Sequence, residues 1–351
     1  MRLKQTYLAN LQTSARNAVP PHKLMATDTI FTEYVPCDLC GSSDQDLLYS
    51  KIDPITGREF HLVECKCGMA FVNPMPVAES IPLLYPSDYL RDKTDLTNLY
   101  NRMMTYLPAG HGKKLLDVGC GRGDFINYAS KRGWQAEGVD LLNWGTSYSV
   151  PIRVGDFLSM DLQKAHYDAI TAWALLEHVR TPSAFFERVS QLLAANGLFV
   201  FVVPNFGAPG MRRCCTEDIP RHLWLFTPRA VKNYLERYEM EPRAVFHNDA
   251  LYTAYPFGLV RYGLQRLRRI ATDCSRYQNK SVALLRNRQI RGNARAWLAE
   301  IRKSLGPSDV ALDLIDLAVG VLVAQWSKLV GNYGVLTVVA RRIGQKKSNP
   351  K

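Results

Sequence analysis

The sequence predicts an α/β fold built on a parallel sheet, and three observations lead to this prediction. Between residues 113 and 249 the apolar residues alternate between the periods of strands and helices, as expected for parallel strands joined by crossover helices. A glycine-rich turn follows the first of these strands. The run 198–203 is apolar at every position, which is typical of a strand covered on both faces.

The elements of this core follow from local signals. Four strands are predicted at 114–118, 135–139, 152–154 and 167–173. One helix is predicted over 124–132, where Gly133 can end it, and another runs from Thr181 as N-cap and Pro182 as first residue to a stop at Gly197. Beyond the apolar run, a helix over 229–238 and strands over 243–247 and 335–340 complete the sheet.

The chain divides into seven segments. They are an N-terminal extension (1–30), a cysteine-rich unit (31–76), a helical linker (77–112), the core (113–250), a basic helical insertion (251–333), the last core strand (334–343) and a basic tail (344–351). Between residues 261 and 303 the insertion holds 12 Lys and Arg against two acids, which indicates either a solvated face or a binding surface. Its apolar stretch, 311–330, is expected to pack for the most part onto the sheet; a lid, a dimer surface and a membrane contact are the alternatives.

Composition limits the classes of partner. The 351 residues are 47% hydrophobic and carry a net charge of +12. A basic balance suggests anionic partners, such as nucleotide-linked substrates, phospholipid headgroups or nucleic acid. No N-terminal segment has the apolar core of a secretory signal, and no apolar run reaches the roughly 20 residues that span a bilayer. We therefore expect a cytoplasmic protein whose contact with a membrane, if it has one, is with the surface.

Two cysteine knuckles predict a zinc ribbon in the segment 31–76. Cys37 and Cys40 form a C-x-x-C motif and Cys65 and Cys67 a C-x-C motif, each followed by glycine, on either side of a predicted hairpin. In a reducing compartment, clustered thiols are interpreted as metal ligands before disulfides. Four thiolates leave no open position for a substrate, so the zinc is expected to be structural and to stabilise the unit.

The glycine-rich turn after the first strand is the most informative segment. It reads D-V-G-C-G-R-G over residues 117–123. Gly119, Gly121 and Gly123 have no Cβ, so backbone N–H groups in this turn can approach a ligand closely. A dinucleotide site would need a further glycine to complete G-x-G-x-x-G, and Asp124 occupies that position. The pattern present is D-x-G-x-G-x-G, which weakens a nicotinamide interpretation.

Acidic residues follow the next two strands at the spacing that a nucleoside ligand requires. Asp140 ends the second strand about 20 residues after the turn, where a carboxylate can accept hydrogen bonds from ribose hydroxyls. Asp156 follows the third strand, and Phe157 beside it could pack on a purine. A single Asp at a strand end is often only a turn former. Three acids in register with the glycine turn make that interpretation improbable.

With these residues, the chain resembles the class I S-adenosylmethionine (SAM) methyltransferases over residues 113–250. Within them it resembles the small-molecule enzymes that carry Leu-Glu-His-Val after the fourth strand, here residues 176–179. The resemblance implies a Rossmann-like seven-stranded methyltransferase sheet, with SAM as the cofactor and the helical insertion before the last strand. The cysteine-rich unit is similar to the ribbon of a subgroup from glycan, lipid and secondary-metabolite pathways.

The resemblance also implies roles for single residues. The three glycines would approach the methionine part of SAM, and Asp117 would fix their turn. Asp140 would hold the ribose, while Asp156 and Phe157 would hold the adenine. Trp173 would lie near the sulfonium, at the end of the fourth strand.

Two histidines are candidates for a general base, which methyl transfer to a hydroxyl group can use. His178 follows Glu177 at the end of the fourth strand, where open α/β sheets place ligands. His222 lies after the fifth strand, in a segment that borders the acceptor pocket of the resembling enzymes, and it is the preferred base. The alternatives are a scaffold role for the Glu177–His178 pair and an exposed loop position for His222. Ubiquinone-pathway O-methyltransferases hold a divalent ion with Glu-x-x-Glu-His; Ala174 occupies the first position here, so a catalytic metal is not expected.

Three functions are compatible with the sequence. The first is a small-molecule methyltransferase, O-methylating by preference, whose acceptor is a glycan, lipid or specialised metabolite and is anionic or lipid-linked. The second is an RNA methyltransferase that grips phosphates with the ribbon and the insertion, although the many acids of the ribbon make nucleic acid an unfavoured partner. The third is a SAM-binding module without catalytic activity.

Overall fold

The computed structural model describes residues 29–53, 55–85, 96–145, 148–213, 218–248, 250–252, 259–260, 263–264 and 310–343. The predictions for most of the N-terminal extension, for the basic stretch 261–303 and for the basic tail fall almost entirely outside these residues. The elements that position the candidate site lie within them.

The strands are short in the cysteine-rich unit and longer in the core. In chain order they are β1 (Thr32–Glu33), β2 (Gln45–Ile52), β3 (Glu59–Cys65), β4 (Ala70–Val72), β5 (Met75–Pro76), β6 (Lys114–Val118), β7 (Gln135–Asp140), β8 (Ile152–Val154), β9 (Tyr167–Trp173), β10 (Leu193–Pro204), β11 (Trp224–Leu225), β12 (Met240–Phe246) and β13 (Val335–Arg342). The α-helices with described bounds are α1 (Thr97–Met104), α2 (Asp124–Ser130), α3 (Pro182–Leu192), α4 (Pro228–Arg237) and α5 (Val310–Leu329). Short 3-10 helices span Ala78–Leu84, Leu176–His178 and Met211–Arg213.

The core is a sheet of seven strands among the described residues, in the order β12-β13-β10-β9-β6-β7-β8. All neighbours are parallel except β13, which is antiparallel to both β10 and β12. The last strand therefore lies inside the sheet, and its buried residues pair with the apolar strand β10. The predicted Rossmann-like α/β fold with seven strands is confirmed.

Two details of helix α3 differ from the sequence prediction. The helix ends at Leu192 and does not reach Gly197, because residues 193–198 already pair irregularly with β9. A Cβ on Gly197 would lie 2.9 Å from the carbonyl oxygen of Tyr167, so glycine allows this close pairing. Thr181 stands at the N-cap position, but its side chain accepts no capping hydrogen bond.

The cap of α3 comes from the cysteine-rich unit. The carboxylate of Asp38 accepts hydrogen bonds from the backbone N–H and the hydroxyl of Ser183, at 2.8 and 2.7 Å. It also accepts one from the hydroxyl of Tyr234 on α4, at 2.7 Å. A carboxylate at a helix N-terminus accepts a hydrogen bond from an otherwise unpaired N–H group and interacts favourably with the helix dipole. The first cysteine knuckle is thus bonded to the core.

The cysteine-rich unit also shares a sheet with the core. Strands β2, β3 and β4 form an antiparallel sheet whose fourth strand is β11, from the chain that follows β10. Trp224 pairs with Phe71, and their rings stack with centroids 4.8 Å apart. Both side chains are almost fully buried. The sheet of the segment 31–76 is therefore completed by a strand from the chain that follows β10.

Helix α5 contacts the core through small and polar residues. Asp316, Ala324 and Ser327 are buried, and the carboxylate of Asp316 accepts a hydrogen bond from the backbone N–H of Val260 at 2.7 Å. Large apolar residues of the same helix are exposed: Leu322 to 68% and Trp326 to 54%. The expectation that most of this stretch packs onto the sheet is wrong for these side chains, because the helical period turns them away from the buried positions. Within the described residues, no helix combines the length and apolarity needed to cross a membrane.

Candidate active site

The glycine turn joins β6 to α2 in a conformation that favours glycine. Gly119, Gly121 and Gly123 have φ angles of +75°, +57° and +85°, in the left-handed region. A Cβ on Gly119 would lie 2.9 Å from the Leu175 Cδ1 atom. The turn is therefore set by both backbone angle and space, and it lies at the carboxyl end of β6, the edge at which such sheets bind ligands.

Asp140 holds this turn in place. One of its carboxylate oxygens accepts a hydrogen bond from the N–H of Gly121 at 2.8 Å, and the other accepts from the N–H of Leu142 at 3.0 Å and from Trp144 Nε1 at 2.9 Å. Burial raises the pKa of this carboxyl, while the backbone donors act in the opposite direction. The glycine turn is thus hydrogen-bonded to Asp140, the acid at the end of β7.

Asp117, on β6, is more deeply buried than Asp140. It is 3% exposed, and its carboxyl accepts a hydrogen bond from the hydroxyl of Thr171 on β9 at 2.6 Å. Among the described residues, its side chain makes no hydrogen bond to the turn that the resemblance assigned to it. Burial raises the pKa of Asp117 to about 7; the Thr171 bond lowers it and the charge of nearby Asp140 raises it further.

This raised pKa makes stability depend on pH with a definite sign. The unfolded carboxyl titrates near 3.9, so between about pH 4 and pH 7 the folded protein binds the extra proton and loses stability as pH rises. Asp117→Asn removes the effect. The free energy of unfolding of both proteins is measured with urea at pH 4 and pH 8. We expect that of the wild type to fall over this range by up to about 4 kcal/mol more than that of the variant. A difference that does not change with pH would contradict the assignment, and Asp161→Asn, at an exposed loop position, is the control.

The other predicted cofactor residues have mixed environments. Asp156 is exposed, and its side chain accepts a hydrogen bond from the N–H of Leu158 at 3.1 Å. Phe157 is only 6% exposed and packs on Phe185, with ring centroids 4.8 Å apart. Trp173 meets Phe125 edge to face at 5.3 Å, and its buried Nε1 has no hydrogen-bond partner among the described residues. An unpaired buried donor at the end of β9 is a candidate ligand contact.

The two candidate bases lie together. The rings of His178 and His222 meet edge to face with centroids 4.9 Å apart, and His178 Nε2 lies 4.0 Å from a carboxylate oxygen of Glu177. Glu177 is 2% exposed. The sequence placed these residues in two different segments, and the structure brings the three side chains within 4.8 Å of one another.

The tautomer of His178 follows from its partners. Its Nδ1 lies 2.9 Å from the carbonyl oxygen of Arg221, which can only accept, so Nδ1 carries the proton and Nε2 holds the lone pair. The hydroxyl of Tyr85 lies 3.1 Å from the same Nδ1. Burial lowers the pKa of His178 to about 3, and the neighbouring His222 adds to this. The imidazole is therefore neutral at neutral pH.

Sequence reasoning missed Arg221 and its acidic partners. Arg221 is 3% exposed and donates to Asp218 at 2.6 Å and to Asp53 at 2.9 Å. Burial alone would raise the pKa of Asp218, but the bonds and charge of Arg221 dominate and lower it to about 2. The one local signal was the position of Arg221 directly before His222.

The four cysteines converge as predicted from their spacing. The Cys37 and Cys67 Sγ atoms lie 3.6 Å apart, and those of Cys40 and Cys65 lie 3.4 Å apart. All four Sγ atoms lie within 4.8 Å of one another. Four thiolates around a tetrahedral zinc at about 2.3 Å would be spaced by roughly 3.8 Å. The donor set and its spacing fit zinc.

Comparison with known proteins agrees with these observations. Residues 89–245 match the family model described as a methyltransferase domain. The matched region covers less than half of the chain, and it includes the glycine turn, Asp117, Asp140 and the histidine pair.

Curated relatives match a shorter part of the chain. A ubiquinone biosynthesis O-methyltransferase of Idiomarina loihiensis is 33% identical over 106 residues, which cover 27% of this chain and 43% of the relative. The enzyme of the same name from Chromobacterium violaceum is 32% identical over 108 residues, covering 28% of this chain and 47% of the relative. The chain therefore spans less than half the length of these relatives. A solved structure of a SAM-dependent methyltransferase from Mesorhizobium loti aligns with 71% of this chain and 99% of its own, at 15% identity and a TM-score of 0.41.

Proposed function

We propose that this protein transfers a methyl group from SAM to a small-molecule acceptor. The observation that carries the proposal is the left-handed glycine turn, which is hydrogen-bonded to Asp140. Asp117 is buried in the strand before it, and the whole turn lies in the region that matches the methyltransferase family model. The same turn faces the end of β9, where Trp173 and the histidine pair lie. Donor and acceptor would meet at that edge of the sheet.

The electrostatics of the turn favour a cationic donor. Asp117 is buried and Asp140 is partly buried, and the charge of Asp140 adds to the burial that raises the pKa of Asp117; burial raises the pKa of Asp140 as well. A ligand with positive charge relieves this repulsion, whereas a pyrophosphate would add to it. SAM carries a sulfonium and an ammonium group. We assign Gly119, Gly121 and Gly123 to its methionine part, Asp140 to its ribose, Asp156 and Phe157 to its adenine and Trp173 to the region of the sulfonium.

We assign His222 as the general base of an in-line O-methylation. His178 donates the Nδ1 hydrogen to the carbonyl oxygen of Arg221, and a carboxylate oxygen of Glu177 lies 4.0 Å from Nε2 of His178. These two residues would therefore orient His222 from one side, and its ring would face the acceptor hydroxyl. Alignment of donor and acceptor would supply most of the rate, with the base adding about 10²–10⁴-fold.

His222→Gln is expected to slow methyl transfer by about 10²–10⁴-fold while the affinity for SAM stays within about twofold of the wild type. The rate is measured as formation of S-adenosylhomocysteine at saturating SAM, and the affinity by calorimetry. If His178→Gln abolishes transfer while His222→Gln leaves the rate intact, the base has been assigned to the wrong histidine.

The acceptor class follows from charge and surface. We propose an anionic or lipid-linked acceptor, such as a glycan or lipid intermediate, handled in the cytoplasm at the membrane surface. Support comes from the net charge of +12 and from the exposed apolar residues of α5. We further propose a structural zinc ion at Cys37, Cys40, Cys65 and Cys67, as their spacing supports.

Methyl-labelled SAM tests the function directly. The purified protein is incubated with labelled SAM and separate lipid, polar-metabolite and RNA fractions of a bacterial extract. We expect label in the lipid or polar-metabolite fraction. Label confined to RNA would establish the alternative RNA methyltransferase, and SAM binding without transfer to any fraction would leave a binding module.

A further inference from the structure

The chain around His222 is bonded both to the sheet of the cysteine-rich unit and to the 3-10 helix Leu176–His178 that follows β9. Strand β11, which begins two residues after His222, pairs with β4 of the cysteine-rich unit. The N–H of Leu223 donates to the carbonyl of Glu177 at 2.7 Å, and the carbonyl of Leu223 accepts from the N–H of Val72 at 2.9 Å. Leu223 and Trp224, which directly follow His222, thus connect the segment after β9 to the cysteine-rich unit.

A buried ion pair makes the same connection beside the histidine. Arg221 donates to Asp53, which is fully buried in the β2–β3 turn, and to the carbonyl of Leu84 at 3.1 Å. The second oxygen of Asp53 accepts from the N–H and hydroxyl of Thr56, at 3.0 and 2.8 Å. Each carboxylate oxygen therefore has a donor, and Arg221 is fixed by these groups from the N-terminal part of the chain together with Asp218, which accepts from its Nε at 2.9 Å.

Such a pair is poorly explained by stability alone. Removing two charges from water costs several kcal/mol per ion, and well-packed apolar residues in the same place often stabilise a fold equally well. A buried pair does fix geometry, since it has few alternative arrangements. Here the fixed residue is Arg221. Its carbonyl oxygen accepts a hydrogen bond from Nδ1 of His178, and it directly precedes His222 in the chain.

We infer that Asp53, Arg221 and Tyr85 are positioning residues, through which the cysteine-rich unit holds the imidazoles of His178 and His222 in one orientation. Asp53, together with Asp218, fixes the Arg221 side chain. The Arg221 carbonyl and the Tyr85 hydroxyl then fix Nδ1 of His178, whose ring meets that of His222. The catalytic meaning of this orientation depends on the proposed function; the orientation itself does not.

The test measures how fast the Nδ1 proton of His178 exchanges with solvent, by NMR of the full-length protein labelled with ¹⁵N-histidine. In the wild type this proton lies between the Arg221 carbonyl and the Tyr85 hydroxyl, so we expect slow exchange. Asp53→Asn and Tyr85→Phe should each accelerate exchange at least about tenfold. Backbone amides of β9 should keep their wild-type rates, which a general loss of structure would not allow.

Arg212→Gln is the matched control. Arg212 and Glu64 also join the core to the cysteine-rich unit, but Arg212 is 42% exposed, so its loss should leave the His178 proton unchanged. Exchange within twofold of wild type in both test variants would overturn the inference, and Tyr85→Phe decides alone if Asp53→Asn does not fold. Calorimetry with SAM is run in parallel: a wild type that does not bind SAM contradicts the proposed function and leaves the exchange result standing.

Discussion

Asp140→Ala is expected to lower the affinity for SAM at least about a hundredfold. The carboxylate accepts hydrogen bonds from Gly121, Leu142 and Trp144, and bonds to a charged group contribute about 1.5–3 kcal/mol each. Alanine leaves these donors unpaired, releases the glycine turn and removes the proposed ribose acceptor. Calorimetric titration with SAM measures the loss.

The control for this experiment is Asp161→Ala, which removes an exposed carboxylate from a loop outside the site. Its affinity should equal that of the wild type. Circular dichroism verifies that both variants are folded. Unchanged affinity in a folded Asp140→Ala protein would remove the basis for the cofactor assignment.

Cys37→Ser is expected to abolish zinc retention and to lower the thermal midpoint by more than about 10 °C. Cys37 is fully buried, and its Sγ lies 3.6 Å from that of Cys67. Structural zinc contributes roughly 10 kcal/mol or more to small metal-bound units, so loss of one of four thiolates should cost several kcal/mol. Elemental analysis of the purified protein gives the zinc content, and calorimetry gives the midpoint.

Cys120→Ser provides the comparison, because Cys120 is also buried but lies in the glycine turn, away from the four-cysteine cluster. It should retain one zinc ion per chain. Absence of zinc from carefully purified wild type, together with an unchanged midpoint in Cys37→Ser, would show that the cluster is not a metal site.

Local patterns predicted the core accurately. Strands β6, β8 and β9 occupy the predicted residues, and α2 begins at Asp124 as expected, because buried strands and glycine turns leave a signal within a few positions. The convergence of the four cysteines was likewise encoded in two short motifs. The acids at the ends of β6 and β7 were found, but not which of them bonds the turn, since that depends on side-chain geometry.

Contacts between distant segments left no such signal. Asp53 and Arg221 are 168 positions apart, and neither lies in a motif. Strand β11 has two residues, too few for any period to show. Helix α5 misled for a different reason: its sequence is apolar nearly all round, so composition could not tell which residues face the core.

Strand β11 has a thermodynamic consequence. It belongs to the sheet of the cysteine-rich unit, yet it lies two residues from His222. A metal ion at the four cysteines and an acceptor beside His222 would both stabilise the conformation in which β11 is paired. Two ligands that favour one state must raise each other's affinity by the same factor. We therefore expect the acceptor to slow the removal of zinc by a chelator, so that resistance to chelation would report occupancy of a site on the far side of the strand.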